Sequence, residues 1–290
     1  MKKITTIKDM KAVVRELKSG GKTIGFVPTM GYLHGGHLSL VRKSIQNADA
    51  TVVSIFVNPA QFGPQEDFKE YPRDFNRDME LLKKEGVDYV FFPDSVEMYP
   101  QGYKTYVQVQ DLEEKLCGHS RPGHFKGVCT IVLKLFNIID PDVAFFGQKD
   151  AQQAVILRKM VEDLDLDVII KVLPIIRDED GLALSSRNEY LNSREREAAL
   201  TLHRSLQEAK KMIEAGERRA GNIIKRIEEM MRQEPLARID YIEIVDLDEL
   251  KPVERIEDET LLALAVFVDK TRIIDNMMVE INEEGVRFKE

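Results

Sequence analysis

The chain has 290 residues, 43% of them hydrophobic and 32% charged, with a formal net charge of −8 and a pI near 5.4. That length suits one large or two medium domains with a substantial core and no need of disulfides. The acidic balance argues against general nucleic-acid binding, which needs a basic surface, and the longest apolar runs, such as Leu261 to Val268, are far too short to cross a bilayer.

The N-terminal stretch Met1 to Asp9 has no apolar core of the kind a signal peptide carries, so none is expected. An amphipathic helix is expected over residues 5–19, with Ile7, Met10, Val14 and Leu17 on one face and Gly20-Gly21 ending it. A strand from Thr23 to Val27 then enters Pro28-Thr29-Met30-Gly31-Tyr32-Leu33-His34-Gly35-Gly36-His37, with a helix expected from Leu38. A Gly-rich turn between strand and helix offers backbone N–H groups and the positive end of a helix dipole, which suit a phosphate. His34 and His37 lie three residues apart and can both face such an anion; two ordinary loop histidines are the alternative. A metal site is not expected there, because no carboxylate or cysteine sits at a supporting spacing.

The run Ala50 to Val57 is apolar and β-branched, as in a strand buried on both faces of a parallel sheet. It ends in Asn58-Pro59-Ala60-Gln61, whose neutral amides suit a polar substrate or merely an Asx turn. A polar loop, Gly63 to Pro72, reads as a lid excluding water or as a static surface loop. A helix is expected over 74–85 and strands over Val87 to Phe92 and Thr105 to Val109. Arg121-Pro122-Gly123-His124 forms a basic patch ahead of a helix at 126–138, able to attract an anion or to serve as a plain turn. The strand Val143 to Phe146 leads into Gly147-Gln148-Lys149-Asp150 and a helix carrying Gln152 and Gln153. Lys149 can hold a phosphate and Asp150 a ribose, or both belong to a solvated helix start. A last strand spans Val168 to Leu173. This alternation indicates a doubly wound, Rossmann-like α/β domain over residues 1–176, with the polar clusters sharing the rim at the strands' carboxyl ends.

After Arg177 the texture changes to two charged helices (193–215 and 217–233) and three apolar runs (239–245, 261–268 and 272–280), which suggests a smaller α+β domain over 177–290. At the junction, Leu184-Ser185-Ser186-Arg187 places two hydroxyls and a guanidinium on one loop, a phosphate clamp or a helix cap. The two cysteines, Cys117 and Cys129, show neither disulfide nor metal-ligand spacing, which fits a reducing cytoplasm.

The order of these clusters is more specific than any one of them. His34-Gly35-Gly36-His37 early and Leu184-Ser185-Ser186-Arg187 late resemble the two signature motifs of the nucleotidyltransferase superfamily. Within it, residues 28–38, 54–63, 71–74, 121–128, 146–153 and 180–188 are similar to the pantoate–β-alanine ligases. The resemblance implies an ATP-dependent, Mg2+-assisted condensation of (R)-pantoate with β-alanine through a pantoyl adenylate, in a cytoplasmic homodimer with no nucleic-acid or membrane partner. It assigns His34, His37 and Lys149 to the phosphates, with His37 the better proton donor. Met30, Gly31, Tyr32, Leu33, Gly35 and Gly36 would complete the ATP turn. Gly147 and Asp150 would hold the ribose, with Gln148 also at the nucleotide, Ile176 the adenine and Ser185, Ser186 and Arg187 the triphosphate, with the smaller domain covering the site. Gln61 and Gln153 would hold pantoate, Gln61 also facing β-alanine, supported by Asn58, Arg121 and His124. Leu184 departs from the methionine common in relatives but conserves volume. The other readings are a simple nucleotidyltransferase, a fragment of an aminoacyl-tRNA synthetase, and a non-enzymatic nucleotide-binding module.

Overall fold

The computed structural model describes residues 1–283 and 285–289, which divide into two compact units, Met1–Glu114 with Arg121–Leu173, and Lys115–Ser120 with Pro174–Glu290. The division falls three residues before the expected one and assigns a short internal segment to the second unit.

The first unit is built on six parallel strands: β1 (Lys2–Ile4), β2 (Ile24–Thr29), β3 (Ala50–Ile55), β4 (Tyr89–Phe91), β5 (Val143–Gly147) and β6 (Ile169–Leu173). They lie in the order β1-β4-β3-β2-β5-β6. Successive strands step outward from β2 on one side, and the chain then returns to place β5 on its other side. That reversal makes a crevice beyond the carboxyl ends of β2 and β5, the place where sheets of this type bind ligands. Every residue of β3 is buried, as its apolar run requires.

Helix α1 (Ile7–Ser19) buries Met10, Val13, Val14 and Leu17 and is capped by Thr6, whose hydroxyl accepts the Asp9 N–H. Helix α2 (Gly35–Asn47) lies close on β2, because Gly25 has no side chain; a Cβ there would come within 2.2 Å of Ser44 Oγ. Next come α3 (Phe75–Glu85), the four-residue α4 (Ser95–Met98) and α5 (Cys117–Ser120), then α6 (His124–Ile139) and α7 (Ala151–Asp163). The strand expected at Thr105–Val109 does not form: the Val107 N–H bonds to the Thr130 hydroxyl at 2.9 Å instead of a neighbouring strand.

The second unit carries α8 (Ser193–Glu214), α9 (Ala220–Met231) and an antiparallel sheet, β7 (Ala237–Asp246), β8 (Thr260–Val268), β9 (Thr271–Asn282) and β10 (Gly285–Lys289), in the order β10-β9-β8-β7. The fourth strand was not expected from the sequence. Leu202, Leu206 and Ile213 of α8 and Ile223 and Ile227 of α9 pack with Leu262, Leu264 and Met277 of the sheet. Each unit therefore has its own apolar core.

Candidate active site

The turn after β2 is held in an unusual backbone shape. Gly31 and Tyr32 have φ of 86° and 50°, both left-handed, and only the first is a glycine. Leu33 follows and is fully buried, so its side chain does not reach the site. Helix α2 then begins at Gly35, earlier than the expected Leu38, because His34 caps it. His34 Nδ1 accepts the Gly36 N–H at 3.2 Å, and His37 Nδ1 accepts the His34 N–H at 3.3 Å. This is a capping box with histidine in both roles.

The cap determines the chemistry of both rings. A neutral imidazole whose Nδ1 accepts a hydrogen bond carries its proton on Nε2. Burial, aided by His37, Lys149 and Arg77, pushes the His34 pKa down to about 2. Burial also lowers His37 to about 4, with Asp150 pulling upward and Lys149 downward. Both rings are neutral at pH 7, with centroids 4.0 Å apart. The site thus presents two Nε2–H donors at the positive end of α2, suited to anionic oxygens. With a pKa near 4, His37 in the ligand-free chain is a hydrogen-bond donor and not an imidazolium acid.

Two of the turn's N–H groups are not open to a ligand as expected. Tyr32 N–H and Leu33 N–H donate to the carboxylate of Asp78, at 2.8 and 2.7 Å. Asp78 lies on α3 with 1% exposure. Sequence reasoning passed over it because a lone aspartate in a helix's first turn reads as an ordinary dipole partner.

Across the crevice, Gly147 ends β5, and Gln148–Asp150 form a 3-10 turn before α7. Gln148 is buried, Lys149 half-buried and Asp150 exposed. The charges of Lys149 and Asp150 both act on His37. On α7, Gln152 is buried with its amide on the Leu112 carbonyl at 3.1 Å, whereas Gln153 stays half-buried.

A third wall follows β3. Asn58 is 1% exposed and its amide is engaged inside the protein. Its Oδ1 accepts from Ala60 N–H and Tyr99 O–H, and its Nδ2 donates to Gln61 Oε1 and the Gly127 carbonyl. It therefore orients Gln61 and does not itself face outward. Gln61 donates from Nε2 to Met30 Sδ at 3.1 Å, tying this wall to the turn after β2. The Gln61 carbonyl lies 2.7 Å from His124 Nδ1. Arg121 grips Glu66 with two nitrogens, at 2.8 and 2.6 Å, linking the basic patch to the loop at 63–72. The pairing with Arg121 and the approach of His124 overcome the effect of burial and keep the Glu66 carboxyl below its usual range.

The remaining expected residues lie in the second unit as a group of their own. Ile176 lies beyond the end of β6, 38% exposed, and its carbonyl accepts the Leu184 N–H at 2.9 Å. Ser185 caps the 3-10 turn Ser186–Tyr190: its Oγ accepts the Arg187 N–H at 3.2 Å. Ser186 is buried, and Leu184 and Arg187 are half-buried. The hairpin beneath them is held by Arg177, bidentate to buried Asp275 at 2.6 and 3.0 Å, and by Arg196, which bonds Asp178 and Asp180.

The chain is similar to known proteins along most of its length. A family model described as pantoate-beta-alanine ligase matches residues 2–278. A pantothenate synthetase of Caldicellulosiruptor saccharolyticus is 58% identical over 275 residues, covering 95% of this chain and 98% of the relative. One from Fervidobacterium nodosum is 57% identical over 279 residues, covering 96% and 99%. The crystal structure of pantothenate synthetase from Thermus thermophilus matches with a TM-score of 0.91 at 42% identity, over 95% of this chain and 98% of that one. A pantoate-beta-alanine ligase from Francisella tularensis, solved with beta-gamma ATP and beta-alanine, matches with a TM-score of 0.78 at 33% identity, over 95% and 97%. This chain belongs to the pantoate-beta-alanine ligase family.

Proposed function

We propose that this chain joins (R)-pantoate to β-alanine in two steps, using ATP. A pantoate carboxylate oxygen attacks the α-phosphorus, the bond to the bridging oxygen breaks, and pyrophosphate leaves. The β-alanine amine then attacks the acyl carbon of pantoyl adenylate, the carbon–oxygen bond to AMP breaks, the nitrogen loses a proton, and pantothenate is released.

The observation that carries this reading is the pair of Nε2–H donors on His34 and His37, capped into one tautomer beside Lys149 at the crevice between β2 and β5. Adenylation needs charge on the leaving pyrophosphate stabilised and the reactants held in line, and it needs no protein nucleophile. Two neutral donors and a lysine supply the first requirement. Gln61, oriented by Asn58, and Gln153 supply polar contacts for pantoate, with Arg121 and His124 behind them. Met30 to Gly36 border the nucleotide, Gly147, Gln148 and Asp150 its ribose, and Ile176 and Leu184 its base. Ser185, Ser186 and Arg187 provide a further phosphate contact. The Francisella tularensis ligase, solved with beta-gamma ATP and beta-alanine, supports the same substrate pair here.

Mg2+ belongs to this reading as part of the ATP co-substrate. Among the described residues no three His, Cys, Asp or Glu side chains converge on a possible ion, and Mg2+ held by substrate phosphates needs only one or two protein carboxylates, if any. The loop at 63–72 would act as a lid against water, latched through Glu66 and Arg121. The protein would work in the cytoplasm as a homodimer.

Isotope exchange between pyrophosphate and ATP tests the proposal. Exchange is expected only with pantoate present, and AMP only after β-alanine is added. Folded protein that shows no pantoate-dependent exchange would refute it.

A further inference from the structure

Asp78 is in the first turn of α3 but is not its cap. The cap of α3 is Asp74, whose carboxylate takes the Arg77 N–H at 3.0 Å. A carboxylate with 1% exposure loses most of its hydration, which is costly unless hydrogen bonds replace it. Here both oxygens reach across 45 and 46 residues to the turn after β2. Oδ2 accepts the Tyr32 N–H and Oδ1 the Leu33 N–H. Arg77 completes the grip, with Nη1 on the Leu33 carbonyl at 2.9 Å and its guanidinium 4.9 Å from the Tyr32 ring.

These contacts fall on three consecutive peptide planes. Asp78 holds the N–H groups of the Gly31–Tyr32 and Tyr32–Leu33 peptides. Arg77 holds the carbonyl of the Leu33–His34 peptide, and the N–H of that same plane is the one His37 Nδ1 accepts. The turn needs such a clamp, because Tyr32 at φ 50° is in a conformation that a side chain disfavours. It is also packed onto the carboxylate: a Cβ on Gly31 would lie 3.1 Å from Asp78 Oδ2.

We propose that Asp78 is a positioning residue of this site: by gripping the Tyr32 and Leu33 N–H groups it fixes the Leu33–His34 peptide, and so makes both histidines present Nε2–H to the ligand. The identity of that ligand rests on the function proposed above; the tautomer does not.

Asp78→Asn is the direct test, since it keeps the shape but turns an NH2 group toward one of the two N–H donors. In 15N-histidine-labelled, ligand-free protein at pH 7.5, the native chain is expected to show Nε2–H tautomers for His34 and His37. Asp78→Asn is expected to bring in the Nδ1–H tautomer at one or both, and to slow pantoate-dependent exchange about 10- to 100-fold, the scale of a small misplacement at a reacting centre. Asp78→Glu, which keeps the charge but moves it by one methylene, should shift the spectra the same way with a smaller rate loss. In a His34→Ala/His37→Ala background, Asp78→Asn should cost no further activity. Native tautomers in the folded Asp78 variants, or a full additional loss in that background, would overturn the proposal. Absence of exchange in the native protein would instead strike the functional reading and leave the spectra to decide this one.

Discussion

At the residue scale, the two histidines matter for the state they are held in. Their pKa values in the folded chain, about 2 and about 4, lie below the unfolded value of 6.5. The unfolded chain therefore takes up protons that the folded chain refuses once the pH drops below 6.5. Their contribution to stability is complete above that pH and declines as the pH falls, toward about 4 for His37 and further for His34. Each contributes at most about 1.4 kcal/mol per pH unit, and less to the extent that its partly buried ring still reaches solvent. Urea unfolding at pH 7.5 and 5 should show a smaller acid-induced loss in a His34→Gln/His37→Gln variant than in the native chain. Lys149→Ala makes the complementary chemical point. It removes a charge beside the histidine pair without touching a core, so the fold should stand while pantoate-dependent exchange falls about 10²- to 10³-fold, the range seen when one group stabilising developing charge is lost. Native exchange rates in that variant would remove Lys149 from its assigned role. The candidate site is assembled largely from residue types visible in the sequence: histidines in a Gly-rich turn, and a lysine just past a strand. The tautomers could not, because histidine is not a usual capping residue and the cap appears only once Gly36 and His34 are folded into place. Asp78 was illegible for a different reason: its partners lie 45 and 46 residues away, and no local pattern encodes that pairing.

At the element scale, the site depends on how closely α6 approaches the turn at Pro59–Gln61. Gly127 permits that approach; a Cβ there would stand 2.2 Å from the Ala60 carbonyl oxygen and 2.7 Å from Gln61 Cα. Both are backbone atoms, so no side chain can swing aside to make room. Gly127→Ala must push the turn away from the helix, disturbing the Asn58–Gly127 bond and with it the orientation of Gln61. A loss of about 1–3 kcal/mol in urea unfolding is expected from overpacking, with a higher KM for pantoate and little change in that for ATP. An unchanged KM for pantoate would separate Gln61 from that substrate. The strands that frame the site were legible where apolar runs were long, as in β3. The three-residue β1 escaped notice because Lys2-Lys3-Ile4 is too short and too charged to show a period, and only pairing with β4 makes it a strand. Thr105 to Val109 failed in the opposite way. Its alternating β-branched residues satisfied a local rule, but the backbone bond went to a hydroxyl on α6.

At the scale of the whole molecule, the change of texture near Arg177 reflects a real change of architecture, from a parallel sheet between helices to an antiparallel sheet packed by α8 and α9. The assignment of Lys115–Ser120 to the second unit had no such signal, because it rests on single contacts such as Ser120 Oγ to Asp240 at 2.7 Å. Since each unit has its own core, a lesion in one should not be felt equally by both. The bidentate pair between Arg177 and Asp275 offers the sharpest lesion. Asp275 is 3% exposed and the Arg177 side chain 13%, so neither charge can turn to water if the other is lost. Asp275 also accepts the Asn276 N–H at 2.8 Å within β9, and Arg177 donates to the Gly181 carbonyl below the Leu184–Arg187 loop. Asp275→Asn leaves a buried guanidinium without its counter-charge, a change that costs about 3–5 kcal/mol when a buried pair is broken from one side. Hydrogen exchange should locate that loss: protection is expected to drop through β7, β8 and β9 while amides of β2, β3 and β5 keep their native rates. Equal loss in both sheets would mean that the chain unfolds as one cooperative body despite its two cores.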